Sequence, residues 1–204
     1  MNWPAHILIN SALGKKAEER GIRPVYSALI IGSVFPDVPL TVLSVAYIAW
    51  HGLGGGVLSG GEAADRAFSE LFYNDPFWIT SHHLFHAPLL TLLWIGIGYY
   101  FGVVRGTQWG KWWLWFSIGT ALHSLLDIPT HHDDGPLLLF PFNWDLRYIS
   151  PVSYWDPDHY GIPFTIFETF ISGLLGAFFF KEWRARRQRR KEAKAQNEVA
   201  GATS

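Results

Sequence analysis

Long apolar segments with at most one charged residue most constrain how this chain folds, because each is long enough to cross a lipid bilayer. Three such segments are residues 87–104, 112–128 and 162–180. Their only His, Asp or Glu residues are His123, Asp127 and Glu168. A spanning helix needs about 20 apolar residues, so each segment qualifies. A fourth candidate, residues 25–50, contains Pro36-Asp37 and Pro39, which predict two half-helices or one kinked span.

The composition favours a membrane protein over the alternative, a soluble helical protein with very apolar core helices. Apolar residues make up 49% of the 204 residues and charged residues 16%, whereas soluble domains carry about 25% charged residues. Three segments of this length are difficult to bury in so short a chain. We therefore predict an all-α polytopic membrane protein with about four spanning or re-entrant helices. Cysteine is absent, which excludes disulfides and thiolate metal sites.

The net charge of −1 conceals an uneven distribution along the chain. Residues 1–180 carry eight basic and fourteen acidic residues, whereas residues 181–204 carry eight basic and three acidic residues. The connections between the predicted spans alternate between basic and acidic, and basic segments face the cytoplasm in bacterial inner membranes. We predict one helical membrane domain (1–180), a basic cytoplasmic tail with a helical start (181–204), and a lipid bilayer rather than nucleic acid as the partner.

Histidine and aspartate residues lie beside the apolar segments in a repeated pattern. His82 and His86 are spaced i,i+4, as are His123 and Asp127, so each pair projects from one helical face. The predicted topology places both pairs at the outer ends of their helices. Each pair alone is compatible with an ion pair or a packing histidine. Together with His6 and Asp37, they predict a divalent metal site.

Four sequence blocks resemble the YdjM-like, LexA-binding family of inner-membrane metal-dependent hydrolases. The blocks are His6 in AHILINSALG, Pro36-Asp37, His82-His83-Leu84-Phe85-His86-Ala87, and His123-Ser-Leu-Leu-Asp127 followed by PLLLFP at 136–141. The region from the first block to the last, residues 6–141, spans about two thirds of the chain. The order of the ligands is also remotely similar to that of zinc-dependent phospholipase C and the single-strand zinc nucleases. The resemblance implies a metal-dependent hydrolase, and LexA binding is implied for the named relative.

Two blocks depart from the family pattern. Pro39 stands where the family commonly has a second acidic residue, and Ser81 and Ala87 replace the outer residues of the usual histidine block. A ligand supplied by His82 or His83 is therefore an alternative to the usual one. Asp37, His86, His123 and Asp127 are the positions that match best.

The predicted site has the following composition. The metal ligands are His6, Asp37, His82, His86, His123 and Asp127, in one or two sites; Asp37 and Asp127 are the candidate catalytic carboxylates; His83, His131, His132 and Glu168 are candidates for the surrounding shell. Mixed imidazole and carboxylate ligands suit Zn²⁺, with Mn²⁺ or Fe²⁺ as alternatives. A metal-activated water would hydrolyse a phosphoester, with lipid headgroups as one substrate class.

Two matters stay open at this point. A transporter or proton relay, or an interaction module, is the competing interpretation, with the His and Asp residues structural or conducting. In addition, His6 precedes the cytoplasmic basic segment that begins at Lys15, whereas the other histidines are predicted outside. His6 joins the site only if the N-terminal segment enters the membrane or the span count is wrong by one.

Overall fold

The computed structural model describes residues 1–202, with side chains through residue 193, and within this part the fold is all-helical, as predicted. The helices are α1 (Trp3–Glu19), α2 (Tyr26–Gly32), α3 (Val38–Gly52), α4 (Gly60–Arg66), α5 (Phe72–Asn74), α6 (Pro76–His83), α7 (Pro88–Tyr99), α8 (Gln108–Asp127) and α9 (Gly161–Ala202). Shorter π-helical and 3₁₀ turns occupy Ala67–Leu71, Tyr100–Val104, Phe35–Asp37, Ile128–Thr130 and Pro157–His159.

Local sequence signals explain where several helices begin. Asp75 caps α6 by accepting hydrogen bonds from the backbone N–H groups of Phe77 and Trp78. Ser59 and Glu62 form a reciprocal capping box at the start of α4. Proline occupies the first turns of α1, α6 and α7, where its missing N–H has no helical partner to lose. The Asp75 cap and the prolines at the starts of α6 and α7 therefore divide this part of the chain into short helices, and the histidine block lies at the end of α6.

Two helical segments of the described chain are long and apolar enough to cross a membrane. They are Tyr26–Gly52 and Gly161–Ala193, and the pair Pro76–His83 and Pro88–Val104, bent by 46°, makes a third if it counts as one span. These segments match three of the four predicted spans. The fourth, residues 112–128, lies in α8, whose buried face carries Ser117, Thr120 and Ser124. This polar face lowers the apolar character of α8, so the count of four spans stays a prediction.

Helix α8 lies at the centre of the bundle because glycines let its neighbours approach closely. A Cβ atom on Gly119 would lie 2.5 Å from the carbonyl oxygen of Leu29 in α2, and one on Gly32 would lie 2.1 Å from that of Phe116. Gly102 and Gly110 make a similar contact where the chain turns from α7 into α8. Close packing through small residues is how helices associate where lipid offers no hydrophobic driving force.

Helices α1 and α9 run side by side in the same direction. Both carboxylate oxygens of Glu168 accept hydrogen bonds from Asn2, one from its backbone N–H and one from its side chain. Thirteen residues further along α1, Lys15 pairs with Glu182 and lies over the ring of Phe178. Helix α1 therefore lies along α9 from Glu168, inside the apolar half of α9, towards its basic half.

The segment between α8 and α9 folds back as a cover over one end of the bundle. Its residues Leu137 and Phe140 pack with Ile79 and Ala87 in a small apolar core. Arg147 donates a hydrogen bond to the carbonyl oxygen of Gly135 and lies over the ring of Phe72. This segment, residues 131–160, is called the cover below.

We predict that Gly119→Ala destabilises the protein although alanine is the better helix former. The added methyl group collides with the backbone of α2, and overpacking costs about 1–3 kcal/mol. Gly173→Ala on α9 is the matched control, because nothing lies within 4 Å of the added Cβ atom there. Thermal unfolding in detergent should show a lower midpoint for Gly119→Ala and an unchanged or higher midpoint for Gly173→Ala. Equal midpoints would contradict the packing argument.

Candidate metal centre

Asp127 is the centre of the cluster and is almost completely buried at the end of α8. Its Oδ1 lies 3.0 Å from Nε2 of His6 and 2.9 Å from the backbone nitrogen of Met1. Its Oδ2 lies 2.9 Å from Nε2 of His123 and 3.2 Å from Nε2 of His86. A carboxylate removed from water needs such partners, so Asp127 joins three histidines from three separate parts of the chain.

His123 is oriented by the helix break that also carries Asp37. Its Nδ1 lies 2.8 Å from the carbonyl oxygen of Ser33 and donates a hydrogen bond to it, which leaves Nε2 with a free lone pair. That Nε2 lies 3.3 Å from Oδ1 of Asp37. The break after α2 thus supplies both the carboxylate and the carbonyl that sets the tautomer of the histidine.

The two histidines of the i,i+4 pair, His82 in α6 and His86 after it, lie at different distances from Asp127. His86, in the break between α6 and α7, reaches Asp127 directly through Nε2. His82 lies behind it, with Nε2 2.9 Å from Nδ1 of His86. His82 therefore orients His86 within the group of four candidate ligands, and its role as a metal ligand stays a prediction.

His6 belongs to the cluster, and its position answers the conflict left by the charge pattern. Its ring stacks on that of His123 with the centroids 3.9 Å apart. Helix α1 begins at the cluster and carries the chain away from it to Lys15 and Lys16. The N-terminal segment therefore enters the helix bundle, one of the two conditions under which His6 could join the site.

The cluster combines residues at breaks inside two candidate spans with residues at the end of α8. Asp37 lies in the 3₁₀ turn inside Tyr26–Gly52, and His86 lies in the break of the bent pair. The contacts of Asn2 and Lys15 with α9 place His6 beside the middle of the apolar half of that helix. His123 and Asp127 lie at the end of α8 and His82 lies at the end of α6, and the location of these ends at the outer face of the membrane stays a prediction.

The donor atoms fit a divalent metal ion. Asp37, His86, His123 and Asp127 each offer one ligand atom, and these four atoms lie within 4.8 Å of one another. The buried Nε2 atoms of His6 and His123 have no hydrogen-bond partner among the described residues, although carboxylate oxygens lie 2.9–3.3 Å away. Ligands about 2.1 Å from one ion are separated by roughly 3.0–3.4 Å. The nitrogens and oxygens are thus spaced as ligands that face a common point.

Three of the other four predicted residues, His131, His83 and Glu168, contact segments that adjoin the cluster. His131 donates from Nδ1 to the backbone oxygen of Asp127 at 3.0 Å. His83 accepts a long hydrogen bond of 3.5 Å from the backbone N–H of Leu137. Glu168 holds Asn2 and so fixes the start of α1. Each of these residues supports an element that carries a ligand. A second group of His82, His83 and His86 also has its nitrogens close together.

His132 is not near the cluster, in contrast to its prediction as a member of the surrounding shell. Its ring stacks on His159 with the centroids 3.6 Å apart, and its Nδ1 donates to the carbonyl oxygen of Ser150 at 2.6 Å. The chain leaves its helical path after Thr130, so consecutive histidines point in different directions. His132 therefore stabilises the cover.

Sequence reasoning missed two aromatic residues at the site. The indole N–H of Trp3 donates to Oδ2 of Asp37 at 2.9 Å. Tyr154 lines the cavity beside the cluster, and burial raises the pKa of its hydroxyl to about 12, so it remains a hydrogen-bond donor at neutral pH. Nothing in the local sequence distinguishes Tyr154 from the other aromatic residues of the cover.

A cavity of about 700 Å³ opens beside the cluster. Asp37, His82, His86, His131 and Asp134 supply its ionisable residues. The remaining lining residues are Met1, Trp3, Leu40, Thr41, Ser44, Val45, Ile48, Phe68, Phe72, Tyr73, Tyr154 and Trp155. Its size is within the range of small-molecule sites, and Asp37 and His86 of the cluster line it.

The comparison with known proteins identifies one family. A family model described as YdjM inner membrane protein matches residues 1–196 of the chain. No curated protein and no solved structure matches the chain significantly. The match covers every residue of the cluster and both long candidate spans.

We predict that the purified protein contains stoichiometric divalent metal and that Asp127→Asn loses it. The variant removes the charge shared by His6, His86 and His123, so metal affinity should fall by more than the 10–100-fold typical of residues that only orient a ligand. His159→Gln is the control, since His159 pairs with Asp156 in the cover. Elemental analysis of the three proteins measures the effect. A metal-free wild type, or equal metal in Asp127→Asn, would contradict the assignment.

We also expect chelation to lower the thermal stability of the wild type. A ligand at 100 times its Kd stabilises a folded protein by about 2.7 kcal/mol, and the cluster exists only in the folded chain. EDTA should lower the unfolding midpoint in detergent, and added Zn²⁺ should restore it. The unfolding midpoint of Asp127→Asn should not respond to either reagent.

Proposed function

The chain belongs to the YdjM inner membrane protein family, and we propose that it is a membrane-bound, metal-dependent hydrolase of a phosphoester. The observation that carries the proposal is the convergence of four ligand atoms, from Asp37, His86, His123 and Asp127, beside a cavity. A cluster that only stabilised helix packing would need no cavity.

The residues that would hold the metal are Asp37, His86, His123 and Asp127, with His6 adjacent to them. The donor set suits Zn²⁺, and Mn²⁺ or Fe²⁺ have compatible ligand preferences. A bound divalent ion supplies Lewis acidity and lowers the pKa of a coordinated water towards about 7. The protein contributes the fixed geometry, because the second nitrogens of His123 and His86 are held by Ser33 and His82.

The two candidate catalytic carboxylates differ in access to the cavity. The side chain of Asp127 is 2% exposed, whereas that of Asp37 is 24% exposed and lines the cavity. Asp37 therefore suits the general base, which takes a proton from the attacking water as its oxygen bonds to phosphorus. The bond from phosphorus to the leaving alkoxide breaks, and the alkoxide takes up the proton that Asp37 received from the water. The neutral hydroxyl of Tyr154 is positioned to donate a hydrogen bond in the cavity.

We further propose a multi-pass arrangement in the inner membrane with the C-terminus in the cytoplasm. The basic end of α1 lies beside the start of the basic half of α9, through the contact of Lys15 with Glu182. Positive charge collected at one end of the bundle supports a cytoplasmic location for that end. Four spanning elements, one membrane domain over residues 1–180 and a basic tail over residues 181–204 complete this proposal. The side chains from residue 194 onward lie outside the described residues.

A transporter or proton relay is the second candidate function, and the helix breaks favour it. Discontinuous helices at mid-membrane form ion and substrate sites in many transporters. Here Asp37 and His86 both lie at such breaks. Hydrolysis is preferred because the cavity has room for a substrate beside the ligands.

We predict that the metal-loaded protein in nanodiscs hydrolyses bis-p-nitrophenyl phosphate or a phospholipid. General-base catalysis contributes about 10²–10⁴ in rate, so Asp37→Asn should lower kcat by that factor. His159→Gln should retain full activity, and EDTA should abolish it. Metal-loaded wild type that hydrolyses neither substrate, but conducts protons or metal ions in proteoliposomes, would favour the transporter instead.

A further inference from the structure

We propose that the cavity beside the metal cluster binds the acyl chain of a lipid phosphoester, which enters sideways from the bilayer. This inference rests on the proposed function for the chemistry of the headgroup. In this proposal the residues that line the cavity form a cleft for hydrocarbon, and the substrates are glycerolipid phosphoesters.

One face of α3 forms the first wall and begins at the cluster itself. Thr41, Ser44, Val45 and Ile48 lie at positions i+4, i+7, i+8 and i+11 from Asp37, and all four line the cavity. Residues at these intervals share one side of a helix. At 1.5 Å per residue, the wall extends about 16 Å from Asp37 to Ile48. A carboxylate at one end and aliphatic side chains at the other match a lipid with its headgroup at the metal.

Aromatic side chains form the opposite wall. Phe68 and Phe72 lie in the π-helical turn and in α5, and both line the cavity together with Trp155 of the cover. Of the ionisable lining residues, Asp37, His82, His86 and His131 lie at the cluster end, whereas Asp134 accepts a hydrogen bond from the indole N–H of Trp155 in the cover. The walls beyond the cluster are otherwise mainly apolar. A soluble phosphoester would leave the apolar walls in contact with water, whereas an acyl chain covers them.

The open side of the cleft lies on a candidate membrane span. Val45 is 61% exposed and Phe68 is 54% exposed, and Val45 belongs to the segment Tyr26–Gly52. Large exposed apolar side chains on a spanning helix face lipid. The cleft therefore opens towards the hydrocarbon region, where a chain moves in without crossing water.

A single buried hydroxyl within the wall favours an ester-linked chain. Ser44 is 3% exposed, and its Oγ has no hydrogen-bond partner among the described residues. It lies seven residues beyond Asp37, or about 10 Å along the helix. A buried hydroxyl without a partner is costly, and the carbonyl oxygen of an acyl ester near the headgroup would accept its hydrogen bond.

The first test fills the cleft with a bulky side chain. Val45→Trp places an indole in the cleft, and Val42→Trp is the matched control on the same helix, since Val42 is 59% exposed and lies outside the cavity lining. We expect Val45→Trp in nanodiscs to lower kcat/KM for dioleoyl phosphatidylglycerol by at least about tenfold, as apolar pocket contacts do. Its kcat/KM for bis-p-nitrophenyl phosphate should stay within about twofold. Val42→Trp should match the wild type on both substrates.

Equal effects of Val45→Trp on the two substrates, or no effect on the phospholipid, would overturn the assignment. Ser44→Ala adds a second comparison, because it should weaken the preference for an ester-linked over an ether-linked lipid. The wild type should show that preference, and its absence would remove the ester from the proposal.

The second test needs no catalysis. A phosphatidylcholine with a photoreactive diazirine in its acyl chain is added to the protein in nanodiscs, and crosslinked peptides are mapped by mass spectrometry. Crosslinks to Ile48 and Phe72 should appear in the wild type and in Val42→Trp and disappear in Val45→Trp. Crosslinks without any phosphoester hydrolysis would contradict the proposed hydrolase activity and support the acyl-chain cleft. Hydrolysis of bis-p-nitrophenyl phosphate without these crosslinks would contradict the acyl-chain cleft and support the hydrolase activity.

Discussion

The buried carboxylate of Asp127 is the constraint on which the rest of the structure depends. An ionised group in an apolar bundle requires several charged or polar partners at once. Asp127 obtains them from α1, from the break between α6 and α7, and from its own helix. The positions of these elements relative to one another therefore follow from satisfying one side chain. The same partners are the nitrogens that a divalent metal would use.

The helix breaks and the glycine contacts serve this arrangement together. Pro36 and Pro88 interrupt two apolar segments beside Asp37 and His86, so irregular backbone occurs where the chain lines a cavity rather than where it meets lipid. Gly32 and Gly119 bring α2 against α8, and Ser33, the next residue, then reaches His123. The glycine contact that brings α2 against α8 therefore also places the carbonyl group that orients His123, because Gly32 and Ser33 are adjacent residues.

Much of the site was predictable because its residues conflict with their local sequence. His6, Asp37, His86, His123 and Asp127 stand out as polar groups in apolar segments, and the structure brings all five together. His82 lies behind His86 and His132 lies in the cover, which the same reasoning did not anticipate. Spacing of i,i+4 shows which residues share a helix face. It does not show which of the two residues lies closer to a third residue, such as Asp127. Trp3 and Tyr154 carried no signal, since aromatic residues are frequent throughout this chain.

The sequence by itself determined the helical class, three of the candidate spans and the set of ionisable residues, because these depend on composition and on periodicity within short segments. Only the tertiary structure decided which of the ionisable residues meet and how α1 reaches them. Both depend on contacts between distant residues, such as Asn2 with Glu168 and Lys15 with Glu182. Local hydropathy describes how each helix meets its surroundings, whereas the register between two helices is set by side chains that meet only when the chain has folded.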